Sequence, residues 1–152
     1  MIRPVRRPDR GAAAVEFALV MPILLLLVFG LIQYGLYFWA LQGGSDLARG
    51  AARLAAVGNA ETCTAFRTSV NNGMGGWGTS TPEVTRDYTD TETPNAVAGE
   101  WEPGDRVTVT VEFKAIDLNF PFVPFIEDGV VRQTAEARLE RVANQPEECT
   151  VP

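Results

Sequence analysis

The hydrophobic pattern divides the chain into one long apolar stretch and a later part in which apolar and polar residues alternate. No charged side chain occurs in residues 17–45, which are mostly Leu, Val, Ile, Phe, Ala and Met. A bilayer core of about 30 Å is crossed by about 20 apolar residues in a helix. The stretch exceeds that length, and tilt accommodates the excess. We therefore predict a transmembrane helix over residues 12–42.

The helical pattern continues past the predicted span, over residues 43–59. Apolar residues recur there at the spacing of one helical face: Leu47, Ala51, Leu54 and Ala55. Gly43 and Gly44 stand at the junction, where glycine weakens a helix. One long helix is favoured, with a hinge at the two glycines as an open alternative.

The remaining residues, 60–152, are predicted to form a small domain that contains a short helix over 61–72 and a short strand over 83–88. Residues 106–114 and 130–142 both alternate between apolar and polar side chains, which is typical of strands with one buried and one solvated face. The predicted fold class is α+β: a long N-terminal helix that extends into a small domain with an antiparallel sheet.

Two long connecting segments are predicted to lack regular secondary structure. Residues 89–105 are acidic and rich in turn residues, which predicts an exposed loop. Residues 115–129 contain an apolar run that is broken by two prolines and does not form a regular strand. Its apolar residues that need a partner are Phe120, Phe122, Val123, Phe125 and Ile126. They fill the space between sheet and helix, touch the membrane surface or contact another subunit; the first role is favoured. Trp77 and Trp101 are expected to pack in the core.

Charge is distributed unevenly along the chain. Residues 1–10 carry four Arg and one Asp, whereas the part from Asp46 onward carries 17 acidic and 9 basic residues. A basic flank next to an apolar helix favours a cytoplasmic N-terminus and an extracytoplasmic C-terminal domain. The apolar run is too long for a cleaved secretory signal, so a retained span is favoured. An acidic distal part argues against nucleic acid as a partner.

Few side chains in the sequence are candidates for covalent bonding, catalysis, or the binding of a metal or cofactor. Cys63 and Cys149 lie in the part placed outside the cytoplasm, where one disulfide is favoured over two free thiols. The chain has no His, which excludes Ser-His and Cys-His nucleophilic catalysis. It has no phosphate-binding or dinucleotide-binding glycine motif. We therefore expect neither an enzyme nor a bound cofactor or metal, and a solvated acidic surface is favoured over a Ca²⁺ site.

The junction between the basic leader and the apolar helix carries the most specific motif, RGAAAVEF, with Gly11 followed at the fifth position by Glu16. This motif resembles the class III signal of type IV pilins. The resemblance implies that a prepilin peptidase cuts after Gly11, so that Ala12 becomes the new N-terminus and Glu16, followed by Phe17, becomes the fifth residue.

A carboxylate at a bilayer edge needs a partner or water. The freed amino group of a neighbouring subunit would be a suitable partner for Glu16. Alternatively, Glu16 reaches back to the cytoplasmic surface.

More narrowly, the chain resembles the TadE-like minor pilins, or pseudopilins, of tight-adherence (Tad) pilus systems. The resemblance is close over residues 10–35 and looser over 46–58 and the two alternating strands. It departs at Gly43 and Gly44, where the family commonly carries charge.

The resemblance implies a protein of the inner membrane, with the pilus or cell surface as a further location, that takes part in pilus assembly for adhesion or secretion. Its partners would be the prepilin peptidase and other pilin or Tad subunits. The rival interpretation is an anchored extracytoplasmic interaction domain that is neither processed nor assembled.

Overall fold

A computed structural model describes residues 10–57, 62–90, 101–124, 126–142 and 145–150. The elements in chain order are helix α1 (Arg10–Ala56), helix α2 (Cys63–Asn72), strands β1 (Glu83–Thr89) and β2 (Arg106–Lys114), a short 3-10 helix (Ile126–Gly129) and strand β3 (Val130–Arg138). The α+β class predicted from the sequence is confirmed.

Helix α1 is continuous over its 47 residues, a length of about 70 Å. It is long and apolar enough to cross a membrane. Pro22 lies within it without ending it, as membrane helices tolerate. The hinge considered at Gly43 and Gly44 is not present, since both residues are helical. Residues 58–59, the predicted end of the extension, lie outside the described part of the chain.

Close packing explains the adjacent glycines Gly43 and Gly44 of α1. A Cβ atom on Gly43 would lie 2.5 Å from the Trp77 ring, and one on Gly44 would lie 2.8 Å from the Phe113 ring. Both distances are too short for any side chain larger than hydrogen at these positions. Glycine therefore lets the helix approach the rest of the domain closely.

Small residues continue this packing along one face of α1. The buried residues follow helical spacing: Ala40, Ala48, Ala51 and Ala55. The predicted stripe is thus confirmed for its two alanines. Leu47 and Leu54 lie at the edge of the stripe: they are partly buried, pack against the core and line a groove between α1 and α2.

Two substitutions within α1 are expected to change stability in opposite directions. Gly44→Leu forces a side chain into Phe113 and should destabilise the domain by about 1–3 kcal/mol. Gly50→Ala is the matched control, because nothing lies within 4 Å of a Cβ at this position, and it should stabilise by about 0.8–1 kcal/mol. Chemical unfolding of the full chain in detergent, followed by tryptophan fluorescence, measures both. Equal effects at the two glycines would contradict the close-packing account.

The three strands form one antiparallel sheet in the order β1-β2-β3. The register pairs Val84 with Val111 and Val109 with Ala135. The predicted apolar face of β2 is confirmed, since its three valines and Phe113 are buried, and α1 packs against β2 and β3. The opposite face is polar and carries the exposed ion pairs Arg132–Glu112 and Arg106–Glu136.

The predicted disulfide between Cys63 and Cys149 is present and joins positions 86 residues apart. Cys149 also pairs with Arg86 at the free edge of β1, through backbone hydrogen bonds of 2.8 and 2.9 Å. In α2, Phe66 and Val70 are buried as predicted. The bridge and the edge pairing together hold the C-terminal segment against β1 and α2.

The prediction of an exposed loop over residues 89–105 is wrong at its C-terminal end. Trp101 and Asp105 are both buried, and the Trp101 ring lies 5.4 Å from that of Tyr88. The Asp105 carboxylate accepts a hydrogen bond from the Glu102 amide at 2.8 Å, so its burial is compensated within a tight turn. Residues 91–100 lie outside the described part of the chain. Trp77 is buried like Trp101, so the expected core packing of both tryptophans is confirmed.

Candidate functional site

The residues of the predicted signal occupy the first two turns of α1. The helix begins at Arg10, so Gly11, Ala12 and Glu16 all lie in regular helix and are exposed. Ala12 and Glu16 stand four residues apart and share one face. A Cβ atom on Gly11 would meet no other atom within 4 Å. The backbone around the predicted cleavage position is thus free of tertiary contacts within the described structure.

Glu16 makes no hydrogen bond or ion pair within the described residues. The next charged side chain along the chain is Asp46, about 45 Å further along the helix axis. An unpaired carboxylate is costly in a bilayer. Among the side chains that the structure describes, no cation of the subunit itself offsets that cost.

The segment that follows Glu16 is uncovered on all sides. Its large apolar side chains from Phe17 to Val28 are exposed by 37–70%, whereas a helix packed against its own domain buries one face. The first third of α1 therefore projects from the domain, and its apolar side chains are not covered by other parts of the described structure. Such a surface is suited to lipid or to the helices of neighbouring subunits.

The domain closes around α1 at a level inside the predicted span. Gln33 is 1% exposed; its side-chain amide donates to the Ile116 carbonyl and accepts from the Leu118 amide, both at 3.0 Å. The Phe29 ring stacks on Phe120 with centroids 4.5 Å apart. The β2–β3 connection thus covers one face of the helix from Phe29 upward, whereas Leu31 and Phe38 on other faces stay exposed.

Sequence reasoning missed the role of Gln33, which it treated as part of an uncharged run. The available signal was a single amide among apolar residues, since a buried amide needs hydrogen-bond partners. For the β2–β3 connection, the favoured role as domain core is wrong at Phe122, which is 89% exposed.

A second residue missed by sequence reasoning is Arg86, which is completely buried. Its guanidinium lies 4.3 Å from the centre of the Phe66 ring and donates to the Glu147 carbonyl at 2.7 and 3.1 Å. Burial raises the pKa of the neighbouring Tyr88 hydroxyl, although the Arg86 charge opposes the shift. Tyr88 is therefore neutral at physiological pH. This cluster is a structural centre that joins α2, β1 and the C-terminal segment.

In the described parts of the chain, no group of three or more Cys, Asp or Glu residues is placed so that it could hold a metal ion. The polar face of the sheet carries threonines and paired charges, including Thr110 and Thr134 at 3.0 Å from each other. The absence of an enzymatic activity stays a prediction.

These features define a class of protein: a small α+β domain built around the upper part of a long helix whose lower part projects as a candidate membrane span. The match to a protein family lies within that helix. Residues 11–53 match the family model described as TadE-like protein, so the N-terminal region of the chain is similar to that family. Searches of curated proteins and of solved structures gave no significant match.

Proposed function

We propose that the protein is a minor pilin or pseudopilin that takes part in the assembly of a Tad-type pilus used in adhesion or secretion. One observation carries the proposal: the TadE-like match over residues 11–53 begins at Gly11 and includes the whole projecting segment with Glu16. The match therefore covers the exposed segment that is available to other subunits, together with the upper part of α1 that packs against the sheet.

In the proposed topology, the helix spans the inner membrane with its N-terminus in the cytoplasm and the domain outside. The basic leader supports this orientation. The Cys63–Cys149 disulfide supports it independently, because disulfides persist in oxidising compartments outside the cytoplasm.

Cleavage after Gly11 would give Glu16 a partner. The new α-amino group of Ala12 has an ordinary pKa of about 8 and is mostly cationic at neutral pH. Ala12 and Glu16 are separated by four residues, or about 6 Å along the axis. Two parallel subunits offset by about that distance would bring the ammonium of one level with the carboxylate of the other. Pairing would remove the cost of two isolated charges at the membrane edge.

The processing step is tested by co-expressing the full chain with the prepilin peptidase of the same pilus system and measuring its intact mass. We expect the mass to fall by that of residues 1–11, because the scissile bond lies in exposed backbone. Gly11→Ala should keep the full mass, whereas Gly50→Ala, a glycine exchange in the same helix, should be processed like the natural chain.

Retention of the leader by the natural chain, with the peptidase shown to be active on another pilin, would contradict the processing step. The rival interpretation, an anchored interaction domain, would then be favoured. That interpretation also predicts that an unrelated apolar helix can replace residues 12–32 without effect on function.

A further inference from the structure

The tip of the β2–β3 connection displays an apolar surface that its own domain does not cover. We call residues 116–124 the proximal loop. Phe122 at its tip is 89% exposed and has a positive φ of 66°, a conformation that is uncommon for a bulky residue. Leu118 is exposed by 42%. A strained backbone that holds an aromatic ring outward is unfavourable in water, which indicates a non-aqueous environment for the tip.

The height of the loop along α1 follows from three contacts. The Phe120 ring stacks on the Phe29 ring. The Gln33 side chain forms hydrogen bonds with the backbone of Ile116 and of Leu118. The Tyr34 hydroxyl donates a hydrogen bond to the Pro124 carbonyl at 2.9 Å. The loop is thus fixed beside residues 29–34 of the helix, with its exposed tip between these anchor points.

This height lies below the outer edge of the membrane. If Glu16 stands at the inner edge, a hydrocarbon core of about 30 Å ends about 20 residues later, near residue 36. Phe29 is 13 residues after Glu16, or about 20 Å, and Gln33 is about 25 Å from it. Trp39, half exposed just beyond this edge, is placed as interfacial aromatic residues are.

We propose that the proximal loop inserts into the outer leaflet, with Phe122 in contact with lipid acyl chains. The loop surface is continuous with the bare apolar surface of α1 below it, so one lipid environment covers both. The domain would then be attached to the membrane at two points, the helix and the loop. This proposal requires that α1 spans a membrane with Glu16 at its inner edge, and it stands apart from the proposed role in a pilus.

The backbone of the loop is adapted to such an environment. Irregular backbone at membrane depth is tolerated only where its polar groups are satisfied by protein. Gln33 bonds to two loop backbone groups and Tyr34 to a third. Pro121 and Pro124 lack the N–H donor altogether.

The charged residue of the loop is compatible with this placement. Asp117 stands between the two residues that hydrogen-bond to Gln33, about 5 Å below the outer edge, where local thinning of the bilayer and water defects lower the cost of a charge. Its carboxylate also accepts a hydrogen bond from the Asn119 amide at 2.7 Å. The apolar tip, which lies between Phe120 and Pro124 along the chain, is the part that is inserted.

The test measures the depth of the tip in the full chain, reconstituted in phosphatidylcholine vesicles. Phe122→Cys introduces a single reactive thiol, since both native cysteines are bonded to each other, and a nitroxide label is attached to it. Power-saturation electron paramagnetic resonance then compares its accessibility to O₂ with that to a water-soluble nickel chelate. We expect the O₂ accessibility to be several-fold the greater.

Asp87→Cys provides the control, because Asp87 is exposed on β1 and pairs with Thr108, towards the end of the sheet away from the loop. Its label should be more accessible to nickel. A Phe122 label that behaves like the Asp87 label would overturn the proposal by placing the tip in water. Low accessibility to both reagents would also overturn it, because a second copy of the chain would then cover the tip. Near-UV circular dichroism checks that both variants are folded.

Discussion

Replacement of Glu16 with alanine is expected to abolish pilus assembly while the protein is still inserted in the membrane and folded. The carboxylate is exposed and makes no hydrogen bond or ion pair within the described residues, so its loss removes nothing from the stability of the subunit. In the proposed assembly, the loss leaves the Ala12 ammonium of a neighbour unpaired at the membrane edge. Pilus number by electron microscopy and membrane content by fractionation and immunoblotting measure the two properties separately.

The control for this prediction is Leu19→Ala, which shortens a side chain of the same segment that is 70% exposed and leaves the charge unchanged. It should retain most pili. Glu16→Gln keeps the size of the side chain without its charge and should resemble Glu16→Ala. Normal pilus numbers in both Glu16 variants would exclude the pairing role. A drop in membrane content would instead show that Glu16 acts in insertion.

The largest loss of stability from a single substitution in the domain is expected for Arg86→Ala, at about 3–5 kcal/mol. The change removes a charge-assisted hydrogen-bond donor, worth about 1.5–3 kcal/mol, and leaves a cavity beneath Phe66 that adds to the loss. The Glu147 carbonyl loses its donor at the same time. Chemical unfolding of the full chain in detergent, with the disulfide intact, measures the free energy of unfolding.

Arg86→Lys separates charge from geometry. Lysine keeps the cation but lacks the planar group that places two N–H donors on one carbonyl and stacks on an aromatic ring. We therefore expect an intermediate loss for this variant. If Arg86→Ala lowered the free energy of unfolding by less than about 0.5 kcal/mol, the range for ordinary surface substitutions, Arg86 would not be the centre that joins α2, β1 and the C-terminal segment.

Much of the fold could be predicted because the relevant signals are local. The apolar run of residues 17–45 predicts a spanning helix from its length alone, and the alternation in 106–114 predicts a half-buried strand. Two cysteines in an extracytoplasmic domain make one pairing the simplest expectation. The five-residue spacing between Gly11 and Glu16 can also be read from the sequence, so the candidate signal could be predicted without a structure.

Features that depend on contacts between distant residues could not be predicted in this way. Gly43 and Gly44 suggest a hinge in sequence, yet the helix is continuous because Trp77 and Phe113 occupy the space that side chains would fill. Arg86 lies in β1 at a position that alternates with exposed residues and points to the buried face. A charged side chain is nevertheless ordinarily assigned to the surface. Only the folded arrangement supplies the aromatic rings and the Glu147 carbonyl that compensate its burial.

The sequence by itself determined that this protein has a helix long and apolar enough to span a membrane, with a lone acidic residue after a glycine, followed by an antiparallel α+β domain. Periodicity, length and spacing are properties of the chain that need no partner. The tertiary structure alone decided how far the domain descends along that helix, through Gln33 and the stacking of Phe120 on Phe29. These contacts join residues more than 80 positions apart, so no local pattern contains them. They fix the loop that carries Phe122 beside residues 29–34 and leave Glu16 exposed at the far end of the helix.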